Sequence, residues 1–204
     1  MITVVVRVWL PDRPGALGQV ASRIGAVRGD VLGIEILEHG ADRVVDELTV
    51  SLPSEDLVAL LINEVDAVDG VAVEDVRTVD IDRADPNLAA LAAGAAMAES
   101  EPDGRLDVLC RAVGRLLEAD WSVVLRGADV IAQVGESPQV EWLSAFLVGS
   151  EHLNEIDESL PSDVAWGHLL TSGLTVACGR ADRVIHERER VRLSLLARLA
   201  DALL

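Results

Sequence analysis

The chain opens on a β-branched run from Ile2 to Trp9, interrupted by one charge at Arg7, and this reads as a strand. After the turn Leu10-Pro11-Asp12-Arg13-Pro14-Gly15, apolar residues recur at Leu17, Val20, Ala21, Ile24 and Val27 until Gly29. That spacing is one face of a helix. Val31 to His39 returns to alternation, with Ile34 and Ile36 on one face and Glu35 on the other. Gly40-Ala41-Asp42 is a hairpin signal, and Arg43 to Leu52 is the returning strand. Pro53-Ser54 opens a second helix with Glu55 and Asp56 in its first turn. Its stripe is Leu57, Leu61, Val65 and Val68, and Gly70 stops it. Val71 to Ile81 alternates again as a last strand, so residues 1–82 read β-α-β-β-α-β.

The pattern then changes. Asp82 to Gly104, around the connecting segment 83–103, holds two prolines, an alanine-rich stretch from Asn87 to Glu99 and the turn Glu-Ser-Glu-Pro-Asp-Gly. Alanine favours helix, so a connecting helix is expected here rather than a flexible linker. From residue 104 to 204 a second unit begins, with an amphipathic helix carrying Leu106, Leu109, Val113, Leu116 and Leu117. Trp121–Leu125 and Val130–Val134 form a hairpin around Arg126-Gly127-Ala128-Asp129. Pro138 to Val148 is a helix, and Val164–Leu170 and Leu174–Gly179 are two more strands. Asp182 to Leu204 closes the chain as a long helix with Glu187–Arg190 and Glu189–Arg192 spaced for ion pairs. The reading is an α+β chain of two units, the second with a mainly antiparallel sheet flanked by helices.

Composition narrows the chemistry. The 204 residues are 50% hydrophobic, enough for two cores without disulfide or metal. All 17 basic residues are Arg, so lysine Schiff bases and lysine general bases are excluded. Against 35 acidic residues the net charge is −18, which argues against nucleic acid and anionic membrane as partners. The longest apolar stretch, Leu88 to Ala98, falls short of the ~20 residues needed to span a bilayer. No signal peptide is read at the amino terminus, and the expected location is the cytoplasm.

The turn from Asp12 to Leu17 is the most informative stretch. Pro14 sets φ at the helix entry and Gly15 lets the backbone come close to another group. The first amides of that helix lack intrahelical partners and carry the positive end of its dipole, so they can bind a carboxylate. Asp12 beside them can hold an ammonium, and the pair would match a zwitterion. Equally, Asp12 is read as an ordinary N-cap at a Pro-Gly helix entry.

The six-element order, with Asp12-Arg13-Pro14-Gly15-Ala16-Leu17 between the first strand and helix, resembles the ACT domain, a ferredoxin-like regulatory module. The resemblance covers residues 1–81. It implies a homodimer that binds an amino acid between copies, touching Asp12, Gly15, Ala16 and Leu17 of one and Leu32, Gly33 and Ile34 of the other. Val31-Leu32 stands where serine-binding members carry a polar amide, which leaves branched-chain ligands or no ligand. Many members only dimerise. The second unit resembles a GAF domain by element order, most clearly from Val164 to Gly179 and the helix after Asp182. That implies a small-molecule sensor or a dimerisation module. The Asn-Lys-Phe-Asp-Glu signature of cyclic-nucleotide binders is absent from the sequence.

Other residues carry less. Cys178, between Ala177 and Gly179, reads as a small buried hydrophobe, and Cys110 has no partner spacing. His39, His152, His168 and His186 lack zinc spacing, and no metal, cofactor or catalytic set is read. Trp9, Trp121, Trp142 and Trp166 read as packing groups that also suit pocket walls. Six arginines between Arg180 and Arg198 against three acids read as a solvated, ion-paired face, and Glu155-Ile156-Asp157-Glu158 as an acidic loop. The expectation is a non-enzymatic regulator that binds an amino acid and passes its signal to a separate protein partner. The alternative is a constitutive dimerisation scaffold.

Overall fold

The computed structural model describes residues 1–40, 42–151 and 163–204. Ala41 of the hairpin signal, His152 and the run Glu155–Glu158 lie outside the described residues. The chain divides into two compact units, Met1–Arg83 and Ala84–Leu204.

In the first unit, strand β1 (Ile2–Pro11) is followed by helix α1 (Ala16–Ala26), β2 (Asp30–His39) and β3 (Arg43–Leu52). A 3-10 turn at Glu55–Leu57 leads into α2 (Val58–Asp66), and β4 (Ala72–Val79) ends the unit. The sheet is antiparallel in the order β2-β3-β1-β4, the ferredoxin-like arrangement. Alternation decides its faces. Val4 lies opposite Val50 and Val6 opposite Leu48, and these side chains meet Val20 and Ile24 of α1 and Leu61 and Val65 of α2. Each such fully buried aliphatic contributes about 1.5–3 kcal/mol, which binds the helix layer to the sheet. Strand β4 ends at Val79, opposite Thr3, and is shorter than the Val71–Ile81 alternation.

The second unit contains α3 (Pro86–Glu99), a 3-10 turn at Pro102–Gly104, α4 (Arg105–Leu116), β5 (Trp121–Arg126) and β6 (Asp129–Val134). Then come α5 (Val140–Glu151), β7 (Val164–Leu169), β8 (Leu174–Gly179) and α6 (Glu187–Leu203). The antiparallel order is β6-β5-β8-β7. Val124, Val176, Cys178 and Ala165 face α4 and α6, whereas Trp121, Val123, Leu125 and Ala177 face α5. The sheet is thus a middle layer. The Asp85 carboxylate caps α3, accepting from the amides of Asn87 at 2.8 Å and Leu88 at 3.0 Å. Met97 of α3 is buried in the core with α4 and α6, so this helix packs as part of the second unit.

The arginine-rich end departs from the solvated face read from sequence. Arg180 is buried and forks onto buried Glu189 at 3.0 and 2.8 Å. Its remaining N–H groups donate to the carbonyls of Leu117 at 2.6 Å, Arg183 at 3.1 Å and Val184. All five guanidinium donors are satisfied. Because Arg180 takes the carbonyls of residues 183 and 184, that stretch stays out of the helix, and α6 begins at Glu187 rather than Asp182.

Candidate functional site

The turn after β1 is held from both sides. The Asp12 amide donates to the Asp42 carbonyl at 3.1 Å, and Arg43 donates to the Gly70 carbonyl at 3.4 Å. The N-cap position of α1 is Gly15, at φ 89 in the left-handed region that favours glycine. Asp12 is therefore not the N-cap, and no side chain caps this helix. Ala16 donates to the Arg13 carbonyl at 3.2 Å and Gln19 to the Gly15 carbonyl at 3.1 Å. Between them, the amides of Leu17 and Gly18 find no acceptor among the described residues. A Cβ placed on Gly15 meets nothing within 4 Å, so the corner above it is open. Two amides at a positive helix end, beside that open corner, can donate to a carboxylate.

The acid beside this corner has a neighbour that the sequence reading set aside. Nδ1 of His39, at the end of β2, lies 4.0 Å from Oδ2 of Asp12, and both are half-exposed. Two registers further along β3 is Asp46, opposite Val8 of β1 and Ile36 of β2. Asp46 is buried and its Oδ1 has no hydrogen-bond partner among the described residues. Burial pushes its carboxyl pKa up, and the charge of a protonated His39 works against that rise. His39 thus lies beside a surface acid and two registers from a buried one. The signal for Asp46 was present in the sequence as an acid inside the Val-rich run Val44-Val45-Asp46-Glu47-Leu48.

The second group of candidates lies elsewhere on the sheet. Leu32, Gly33 and Ile34 sit on β2, the edge strand beside β3 in this four-stranded sheet. The register shifts between Val31 and Gly33 and again between Ile36 and Glu38, which makes Leu32 an extra, bulged residue. Leu32 and Ile34 are 52% and 49% exposed. Ile34 is level with Leu48 and hence with Val6, six residues before Asp12. At ~3.3 Å per residue the two groups are about 20 Å apart along the strand direction. One copy of the unit does not bring them together. Asp12, Gly15, Ala16 and Leu17 form one cluster; Leu32, Gly33 and Ile34 form another.

The opposite sheet face carries a charged row that sequence reasoning missed. Arg7 faces Glu47 across β1 and β3, with Nε 2.6 Å from Oε2, and both are buried at 2% and 4% exposure. Arg77 and Arg83 also reach Glu47, at 3.1 and 3.2 Å, and Arg77 binds Asp75 at 2.8 Å. Burial raises the Glu47 pKa, but the charges of Arg7, Arg77 and Arg83 outweigh it and hold the carboxyl below its usual range. Arg7 is the charge that interrupts the first β-branched run.

In the second unit, Trp121 lies against Gly179, where a Cβ would stand 2.5 Å from the ring. Trp142 stacks on Phe146 at 5.3 Å, and Phe146 meets Trp166 edge-on at 5.6 Å. Cys178 is fully buried among apolar residues, and its thiol pKa is pushed up to about 12. Among the described residues no group of three or more His, Cys, Asp or Glu is placed to hold a metal, and no helix is long and apolar enough to cross a membrane.

No protein-family model matches the chain, and no curated protein matches it. Among solved structures, an ACT domain protein from Streptococcus pneumoniae is similar to 41% of this chain over 97% of its own length. The identity there is 17% and the TM-score 0.33. A structure described as an unknown protein from Galdieria sulphuraria is similar to 87% of this chain over 78% of its own, at 12% identity and a TM-score of 0.35. The ferredoxin-like character of the first unit rests on its own strand order.

Proposed function

We propose that this chain is a non-enzymatic regulatory protein whose ACT-like first unit binds a small amino acid between two copies. The ligand carboxylate sits on the Leu17 and Gly18 amides above Gly15 and Ala16, and its ammonium faces Asp12. Leu32, Gly33 and Ile34 of the second copy close over its side chain, which favours an aliphatic one. The observation that carries this reading is the uncapped start of α1 beneath an open corner. The separation of about 20 Å along the strand direction within one copy is the reason the site takes two. Between the two bulges, the regular stretch Gly33–Ile36 supplies an edge for such pairing. Differential affinity for one arrangement of the copies transmits the signal to a separate protein in the cytoplasm. The second unit serves as a GAF-like sensor or dimerisation module.

Titration calorimetry of the full chain against the twenty amino acids tests the reading. Heat from at least one of them, abolished by Asp12→Ala and by Ile34→Glu, is the expected result. Absence of heat with all twenty overturns ligand binding. The exposed aliphatic stripe of Leu32, Ile34 and Ile36 on β2 then favours the second reading, a constitutive dimerisation scaffold. Turnover in an activity screen overturns the non-enzymatic assignment.

A further inference from the structure

Asp46 stands on the helix side of the first sheet. Strand β3 pairs with β1 in one unbroken register, so Val44, Asp46 and Leu48 share a face with Val4, Val6 and Val8. Asp46 is 2% exposed, and its Oδ1 has no hydrogen-bond partner among the described residues. An orphaned carboxylate oxygen lowers stability until a donor reaches it. The strip of surface beside it is open. Ile36, directly opposite Asp46 on β2, is 40% exposed, and Ile34 on the same face is 49% exposed. Helix-side residues stay wet only where the helix layer stops short of them, so a donor coming over the β2 edge approaches Asp46. His39, level with Val44 on that face, joins this strip to the corner above Gly15. Its Nδ1 lies 4.0 Å from Asp12, and its charge also acts on Asp46.

The corner is short of cations. Arg13 lies 3.9 Å from Asp69, and Arg43 donates to the Gly70 carbonyl, so both of the nearest arginines are engaged elsewhere. Asp42, whose carbonyl holds the Asp12 amide, is a further acid at the turn. The positive side of the corner is the pair of amides at Leu17 and Gly18. Asp46 is level with Val8, four residues before Asp12, so the two acids stand about 13 Å apart along the strand direction, backbone to backbone. A ligand with one nitrogen reaches one of them and leaves the other bare. The two nitrogens of an extended lysine are six bonds, or about 7 Å, apart. Two aspartate side chains and two hydrogen bonds span the rest. In a chain of net charge −18, a ligand with one carboxylate and two ammonium groups suits two amides and two acids.

Resting on the amino-acid site proposed above, we infer that Asp46 is a second ammonium acceptor and that the ligand is a diamino acid of the lysine or ornithine kind. Its α-ammonium faces Asp12, its terminal ammonium faces Asp46, and its methylene stem lies along Ile36. The aliphatic closure of the site suits that stem. Titration calorimetry of the full chain compares lysine and ornithine with norleucine, which has the lysine stem without the terminal ammonium. At least one of the two is expected to bind about tenfold or more tighter than norleucine. Asp46→Asn is expected to bring its affinity down to the norleucine level while the protein remains folded by thermal melting. If that variant fails to fold, the comparison of ligands on the wild type decides. Norleucine or leucine binding as tightly as lysine and ornithine overturns this inference and leaves the amino-acid site standing. A preference for the diamino acids that survives Asp46→Asn overturns it too. No heat with any amino acid overturns both.

Discussion

Removing the carboxylate of Glu47 is the sharpest test of how the first unit holds together. Across the sheet, Glu35, Glu47, Arg7 and Asp75 stand in one row, each opposite the next on its neighbouring strand. Glu47 accepts from Arg7 at 2.6 Å, Arg77 at 3.1 Å and Arg83 at 3.2 Å. Glu47→Gln keeps the volume but removes the carboxylate charge that Arg7, Arg77 and Arg83 share. Breaking a buried pair from one side costs up to about 3–5 kcal/mol, whereas replacing both partners by apolar residues is near neutral or stabilising. Arg77 keeps Asp75 at 2.8 Å, and Arg83 is exposed enough to rehydrate. The double variant Arg7→Met with Glu47→Leu is therefore expected within about 1 kcal/mol of wild type. Stability is read from hydrogen exchange of the β1 and β3 amides, which isolates this unit from the other.

The pH dependence has a definite sign. The folded pKa of Glu47 is lowered, so its contribution is present above the unfolded value of about 4.3 and is lost as pH falls through the folded value. The penalty of Glu47→Gln therefore shrinks in acid. A cost below about 1 kcal/mol at neutral pH, or a double variant as unstable as the two single variants combined, refutes the reasoning.

Two further outcomes follow from buried titratable groups. Asp46 has a raised folded pKa, so its burial is tolerated best below the unfolded value of about 3.9 and is penalised as pH rises through the folded one. Asp46→Asn is expected to raise stability by about 1 kcal/mol at pH 7, the gain fading in acid, and a loss at pH 7 contradicts this. The Cys178 thiol, fully buried with a pKa of about 12, is expected to react with a thiol-specific disulfide reagent only on unfolding. Prompt labelling of that residue in native buffer contradicts its burial.

Much of the fold was legible along the chain because periodicity is a local property. The switch from alternation in Ile2–Trp9 to helical spacing in Leu17–Val27, and the Pro14-Gly15 entry between them, need no knowledge of distant residues. Element order follows from such signals, and Cys178 was readable as core from its apolar neighbours. Where the charged side chains end up was not legible in the same way. Arg7 and Glu47 are 40 residues apart and meet only because β1 pairs with β3 in one register. Arg180 and Glu189 looked like members of a wet basic face until α6 packed against the end of β8 and drew both inside.

The candidate site shows the same division. Its local half, the helix entry from Asp12 to Leu17, is written in consecutive residues, since turn chemistry and free amides belong to a few neighbouring peptide units. Its non-local half is not. The approach of His39 to Asp12 and the burial of Asp46 depend on strand order and register. So does the placing of Leu32, Gly33 and Ile34 some 20 Å from the turn. Local spacing determined which elements this chain makes. Pairing between residues far apart in sequence decided which charges lose water and which surfaces keep it, because burial is a property of the assembled layers and not of any single stretch.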